Sequence, residues 1–72
     1  MDRMHIATMV FELRRQSGMS TREAAPRIGI SFVHLNRIEK GHSEPSLDVL
    51  HRIAVVYGKY LSIKFINKGK NQ

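Results

Sequence analysis

Apolar residues recur at the spacing of an α-helix in two segments of the chain. In the first segment they follow the series i, i+3, i+4 and i+7: Ile6, Met9, Val10 and Leu13. This spacing predicts an amphipathic helix over residues 4–16, which Gly18 is placed to end. The later segment holds Leu47, Leu50, Ile53, Ala54 and Tyr57. A further helix is predicted there, with Ser46 as its N-cap and Gly58 at its end.

Two shorter helices are predicted between these segments from their capping residues. In the stretch STRE, Ser20 and Glu23 have the spacing of a capping box, which begins a second helix. That helix should end near residue 28, because Gly29 can adopt the positive φ of a tight turn. Ser31 is then placed to cap a third helix and Gly41 to close it. The predicted fold is an all-α domain of four to five helices.

The segment after the fourth helix changes period. In YLSIKFI, Leu61, Ile63 and Phe65 alternate with polar or amphipathic residues, as in a half-buried strand. One strand leaves its backbone unpaired, so the simplest partner is the same segment of a second copy, which predicts a homodimer. The alternative is a loosely packed tail with accidental alternation. The predicted divisions are a domain at 1–58, a dimerisation strand at 59–67 and a disordered basic tail at 68–72.

The two short central helices and the turn between them form a helix-turn-helix pattern. Wound at about 3.6 residues per turn, the third helix places Leu35 and Ile38 on one face, suited to a core. Its other face combines apolar, polar and basic side chains: Val33, Asn36, Arg37 and Lys40. In a helix-turn-helix the second helix of the pair enters the major groove of DNA. The outward face of the third helix is therefore a candidate DNA-reading surface.

Composition and charge narrow the partners. The chain has 72 residues, enough for one small domain, and a formal charge of +6 favours polyanionic partners such as nucleic acid or an anionic membrane. It has no cysteine, which excludes disulfides and thiolate metal sites. No apolar run approaches the ~20 residues of a membrane span, and no signal-peptide pattern begins the chain. We therefore expect a cytoplasmic protein.

Catalytic and metal-binding patterns are missing from the sequence. The four histidines share no ligand spacing with one another or with a carboxylate cluster: His5, His34, His42 and His51. No P-loop, nucleophile elbow or paired carboxylate pattern occurs. We expect no enzyme activity, no metal and no cofactor.

The run from Leu13 to Gly58 resembles the Cro/C1-type (XRE) helix-turn-helix family. The matching elements are an Arg in helix 1, a small residue inside helix 2, a Gly-hydrophobic-Ser turn, the sequence RIEKG closing helix 3, and Pro-Ser before an apolar helix. The resemblance implies a regulator of transcription that binds double-stranded DNA. The implied protein is a dimeric repressor that binds a palindromic operator of its own or a neighbouring operon. It would be encoded by a bacterium or a phage and would be associated with the nucleoid.

The resemblance also implies which residues of helix 3 read bases: Phe32, Val33, Asn36 and Arg37. Arg37 can donate two hydrogen bonds to guanine, or else contact a phosphate or only solvent. Asn36 can pair with adenine, although its counterpart in the family often contacts no base. An apolar side chain at the start of the helix can pack on a thymine methyl group, the alternative being that Phe32 folds back against helix 2.

The expected phosphate contacts surround helices 2 and 3: Ser20, Thr21, Arg22, Ser31, Lys40, His42 and Ser43. Helix N-termini bind anions through their free backbone amides. Thr21 stands where the family usually has Gln, which alters one common contact. The last three residues can equally be solvated loop residues.

Two further expectations concern the structure behind this surface. Glu39 lies near the C-terminal end of helix 3, where the helix dipole disfavours an anion, and the resemblance implies a structural ion pair between Glu39 and Arg14. The alternative is an exposed Glu39 with little effect. Pro26 falls inside helix 2, so we expect this helix to be kinked or shortened.

Two other functions are weighed against the DNA-binding repressor. The first is an antitoxin that binds a toxin protein and represses its own operon, because HipB-type antitoxins also end with a strand after the fourth helix. The second is a membrane-surface protein, which the sequence favours less because its basic residues are spread over several elements.

Overall fold

The computed structural model describes residues 3–69, which contain four α-helices. These are α1 (Arg3–Ser17), α2 (Thr21–Ile28), α3 (Phe32–Glu39) and α4 (Leu47–Val56). The four predicted helices are thereby confirmed. Among them, none is long and apolar enough to cross a membrane.

Serine N-caps begin the last three helices, as predicted. The hydroxyls of Ser20, Ser31 and Ser46 each accept a hydrogen bond from the backbone N–H three residues later, at 3.0–3.1 Å. At α2 the Glu23 carboxylate also accepts from the Ser20 N–H at 2.9 Å, which completes the capping box. This bond lowers the pKa of Glu23 below its ordinary value, because it stabilises the ionised carboxylate.

The helices pack in an order that differs from their order in the chain. α1 packs on α3, α3 on α2, and α2 on α4. The core they enclose is formed by Ile6, Val10, Ala24, Ala25, Ile28, Leu35, Ile38, Leu50 and Ile53. Leu35 and Ile38 are fully buried, as predicted for the inner face of α3. That helix is therefore held on one side by α1 and on the other by α2.

The buried faces of α1 and α4 are rotated slightly from the predicted ones. Met9 and Leu47, both expected on apolar faces, are 45% and 63% exposed. Ala7 is buried in α1, and Val49 packs against the core in α4. Helical spacing locates an apolar face only to within about one residue position on either side, because a helix turns ~100° per residue.

Pro26 does not shorten α2, which was one of the two effects expected of it. The helix continues through Pro26 to Ile28, where Gly29 closes it with a φ of +88°. Pro26 itself is exposed. Proline lacks an N–H, so the carbonyl four residues earlier, in the first turn of α2, has no helical donor.

The C-terminal strand predicted at residues 59–67 is not present in the structure. Residues 59–69 have no regular secondary structure, so the HipB-like ending is not found either. A strand exists only through hydrogen bonds to a neighbour, and none is found for Leu61, Ile63 and Phe65 within residues 3–69. Of the predicted basic tail at 68–72, residues 70–72 lie outside the described residues.

Candidate DNA-binding surface

The turn between α2 and α3 is fixed by backbone hydrogen bonds at Gly29 and Ile30. The N–H groups of both residues donate to the Ala25 carbonyl, at 2.9 and 3.1 Å. This arrangement needs a left-handed residue at position 29, which is why glycine suits it. Ser31 then begins α3 at once, so the two helices form a rigid pair.

α3 presents a mixed outer surface to solvent. Val33 is 55% exposed, Arg37 and Lys40 are exposed and Asn36 is half-buried. With Leu35 and Ile38 anchored in the core, these side chains are carried on a helix that cannot rotate without disrupting the domain. The surface has the mixture of methyl groups, amide and guanidinium that major-groove edges can pair with.

Arg37 is already engaged at one end of this surface. Its Nη2 donates a weak hydrogen bond of 3.4 Å to the carbonyl of His42, in the loop after α3. The His42 N–H in turn donates to the Arg37 carbonyl at 2.8 Å. The guanidinium is exposed, so it can exchange this contact for a ligand.

Phe32 takes a different position from the one expected of a base-contacting residue. It is half-buried and packs against the core. The guanidinium carbon of Arg22 lies 4.0 Å from the centre of its ring, in a cation–π contact between α2 and α3. This geometry favours the alternative in which Phe32 folds back against α2, and it leaves Val33 as the exposed apolar residue at the start of α3.

The N-terminal ends of α2 and α3 hold four of the predicted phosphate contacts. The Ser20 and Ser31 hydroxyls are occupied by their capping bonds. The earlier amides of each first turn have no partner within the helix, and they carry the positive end of the helix dipole. Beside them, Arg22 is exposed and Thr21 half-buried. The two helix ends can therefore bind anions through backbone amides with Arg22 nearby.

The other three predicted phosphate contacts follow α3. Lys40 is its C-cap residue. Lys40 and His42 are exposed, and Ser43 is half-buried. The loop turns at Gly41, with a φ of +76°, against which the Met4 sulfur packs. The segment is thus held against the start of α1.

Arg14 and Glu39 are brought together behind the recognition surface. Arg14 Nε and Nη2 donate to the two carboxylate oxygens of Glu39, at 2.7 and 2.9 Å. Nη1 of Arg14 donates to the Met19 carbonyl at 3.1 Å, and the Phe11 ring lies 5.5 Å from its guanidinium carbon. The hydrogen bond to Glu39 raises the pKa of Arg14 above its ordinary value. The pair connects α1 to the last turn of α3.

Three residues near this surface were missed from sequence. Arg52 of α4 donates to the end of α2, and its i,i+4 spacing from Asp48 was the only available signal. The Tyr57 hydroxyl and His34 Nε2 are buried without a hydrogen-bond partner among the described residues. Nothing in the local sequence distinguishes them. Within residues 3–69 no group of three His, Asp or Glu side chains is placed to hold a metal ion.

Comparison with known proteins gives a consistent result. A family model described as Helix-turn-helix matches residues 10–63. An uncharacterized HTH-type transcriptional regulator of Methanothermobacter thermautotrophicus is 36% identical over 52 residues, which span 72% of this chain and 75% of that protein. The HTH-type transcriptional regulator DdrOP3 of Deinococcus deserti is 33% identical over 55 residues, spanning 76% of this chain and 43% of that protein.

Proposed function

Since the chain belongs to the Cro/C1-type (XRE) helix-turn-helix family of DNA-binding transcriptional regulators, we propose that it is a dimeric repressor of its own or a neighbouring operon. It binds a palindromic operator in double-stranded DNA. Each copy inserts α3 into a major groove, with α2 lying across the backbone. Occupying a promoter in this way excludes polymerase without any enzymatic step.

The observation that carries the proposal is the outer surface of α3 between two anion-attracting regions. Val33, Asn36 and Arg37 lie on the solvent side of a helix whose opposite side is fully buried. The first turns of α2 and α3 flank it at one end and Lys40 at the other. Base edges would meet the middle of this surface, and phosphates its two ends.

A homodimer is proposed through the C-terminal segment. Leu61 and Ile63 are 38% and 51% exposed, and Phe65 is fully exposed. Leu61 borders a groove of about 170 Å³ between α1 and α4. Pairing residues 60–66 with the same residues of a second copy would satisfy their backbone groups and cover these side chains. Two recognition helices could then meet successive major grooves ~34 Å apart.

Titration against DNA tests the proposed function directly. The purified protein is titrated with the promoter DNA of its own operon and with random DNA of equal length, at several salt concentrations. We expect tighter binding to the promoter and an affinity for both that falls with salt, because phosphate contacts release counterions. Equal affinity for the two DNAs would contradict a sequence-specific repressor.

Sedimentation at micromolar concentration tests the dimer. We expect a dimer for the natural chain and a monomer for Ile63→Ser, which removes an apolar side chain from the proposed pairing face. Lys64→Ser is the matched control, because its side chain lies on the other face of an extended segment. A natural chain that sediments as a monomer would remove the pairing proposal.

The exposed apolar residues of the same segment also fit the antitoxin alternative, in which a toxin protein covers them. A toxin-like gene beside this one would favour that alternative.

A further inference from the structure

One side chain of α4 reaches across to the helix-turn-helix. Arg52 Nη1 donates to the carbonyls of Ile28 and Gly29, at 3.2 and 3.4 Å. Its Nη2 and Nε donate to one carboxylate oxygen of Asp48, at 2.6 and 3.2 Å. The guanidinium is therefore held on one side by its own helix and on the other by the last residues of α2 and its turn.

The chemistry of a helix C-terminus explains why a cation lies there. The last carbonyls of α2 have no partner within the helix, and they carry the negative end of its dipole. The Arg52 guanidinium donates hydrogen bonds to the Ile28 and Gly29 carbonyls and places a positive charge at this negative end. The proline in α2 also makes this helix depend more on outside contacts, since one internal hydrogen bond is missing.

The Arg52 guanidinium lies directly against the turn at Gly29. A Cβ atom added at Gly29 would lie 2.8 Å from Arg52 Nη1. Glycine suits this position for two reasons: it adopts the φ of +88° without strain, and it has no side chain in the space that the guanidinium approaches. Two residues later Ser31 caps α3, so a shift of the turn moves the start of the recognition helix.

We propose that Arg52 is a positioning residue for DNA recognition, one that sets the angle of α3 by capping α2 from α4. The proposal rests on the proposed function, because it concerns binding by the same surface. It also gives α4 a role in recognition, because Arg52 links this helix to the turn before α3.

Arg52→Gln tests the proposal, with Arg52→Lys as the conservative variant. Gln cannot supply the charge, whereas Lys keeps the charge but cannot bond Asp48 and both carbonyls in the same planar arrangement. Lys68→Gln is the control for the loss of one positive charge at an exposed position outside the helices. Thermal unfolding shows that each variant is folded at the assay temperature. If Arg52→Gln is unfolded at that temperature, Arg52→Lys is compared with the natural chain instead.

Three measurements distinguish positioning from simpler roles. For Arg52→Gln we expect the dissociation constant for the promoter DNA to rise about tenfold, comparable to one mismatched base pair, with little change for random DNA. The salt dependence of binding should not change, because a positioning residue neutralises no phosphate. In the protein without DNA, the amide NMR signals of Gly29, Ile30 and Ser31 should shift. Arg52→Lys should recover part of the specific affinity, and Lys68→Gln should retain the ratio of specific to random binding.

Two results would overturn the proposal while the proposed function stands. One is an unchanged affinity of Arg52→Gln for the promoter DNA. The other is a fall of about 0.9 in the salt slope together with the affinity, which would make Arg52 a direct phosphate contact. If the natural chain itself does not prefer the promoter DNA, the proposed function fails, and the positioning role fails with it.

Discussion

Arg14 and Glu39 are 25 residues apart in the chain and form a two-pronged ion pair, with both carboxylate oxygens bonded to one guanidinium. Their side chains are 18% and 6% exposed. A pair in this environment has lost most of its hydration, so its strength depends on good geometry and on extra hydrogen bonds. Arg14 has such a bond, to the Met19 carbonyl. The pair therefore joins α1, the approach to α2 and the end of α3 at one point.

Removing one member of this pair should lower the stability of the domain. We expect Glu39→Gln to lower the free energy of unfolding by ~3 to 5 kcal/mol, because it leaves the Arg14 charge partly buried and unpaired. Urea or thermal unfolding followed by circular dichroism measures the change. Since ~1 kcal/mol shifts the melting temperature of a domain this small by about 4–8 °C, the effect should be large.

Glu12→Gln is the matched control within α1. It breaks the pair between Glu12 and Arg15, which has a similar distance of 2.8 Å but side chains 41% and 60% exposed. Exposed pairs contribute ~0–1 kcal/mol. Equal losses for Glu12→Gln and Glu39→Gln would show that burial does not strengthen the Arg14 pair.

Local signals in the sequence predicted the helices well, because each depends on residues close in the chain. The capping box of Ser20 and Glu23 and the left-handed turn at Gly29 involve neighbours within four residues. Leu47, which is exposed, was misplaced because the spacing of apolar residues locates the buried face of a helix only to within about one residue position. The strand predicted at residues 59–67 is absent from the single chain, because alternation describes one edge and a strand needs hydrogen bonds to a second.

Some contacts of the candidate site were predicted from sequence and others were not. The family resemblance, rather than any spacing, suggested Arg14 and Glu39 as partners. The position of Phe32 under Arg22 and the reach of Arg52 to the end of α2 depend on how α2, α3 and α4 cross. No local pattern encodes those crossings, because they follow from packing of the whole core.

Phe32 and Val33 should respond differently to truncation, although they are adjacent. Phe32→Ala removes a ring that packs on the core and on Arg22, so we expect it to lower stability clearly. Replacing a fully buried Phe by Ala lowers the free energy of unfolding by ~3–5 kcal/mol, and the loss should be smaller for this half-buried ring. Val33→Ala should leave stability within ~0.5 kcal/mol while weakening binding to sites with thymine. Parallel melting and DNA titration separate the two effects.

The reverse pattern would restore the original expectation for Phe32. If Phe32→Ala melts like the natural chain and loses affinity only for sites with thymine, its ring contacts a base in the complex. The Arg22 contact would then have to break on binding.

Arg37→Ala tests direct base reading. Among the described residues its guanidinium donates one weak hydrogen bond, of 3.4 Å, so we expect little change in stability. If Arg37 bonds guanine, the variant should lose ~1–3 kcal/mol of discrimination at one base pair in each half-site. Competition against a set of single-base operator variants measures this. A uniform loss across all sequences, with a smaller salt slope, would assign Arg37 to a phosphate instead.

The raised pKa of Tyr57 predicts that stability depends on pH. Burial, and secondarily the negative charge of Glu39, raise the pKa of Tyr57 above its ordinary value, while Arg14 opposes them. The folded state therefore favours the neutral phenol. Its contribution to stability is complete below the pKa of the unfolded chain, about 10, and is lost as the pH rises towards the higher folded pKa.

Tyr57→Phe should remove this alkaline loss while leaving stability at pH 7 unchanged or slightly greater. The hydroxyl is buried without a hydrogen-bond partner among the described residues, so replacing it sacrifices no bond and relieves a desolvated group. The measurement is urea unfolding at pH 7 and between pH 9 and 11, as the difference from the natural chain. Tyr60→Phe is the control, because Tyr60 is fully exposed and should behave like the natural chain. A loss of more than ~1 kcal/mol for Tyr57→Phe at pH 7 would mean that the hydroxyl forms a hydrogen bond in solution. Glu39, whose charge acts on Tyr57, is the acceptor to test by a double-mutant cycle.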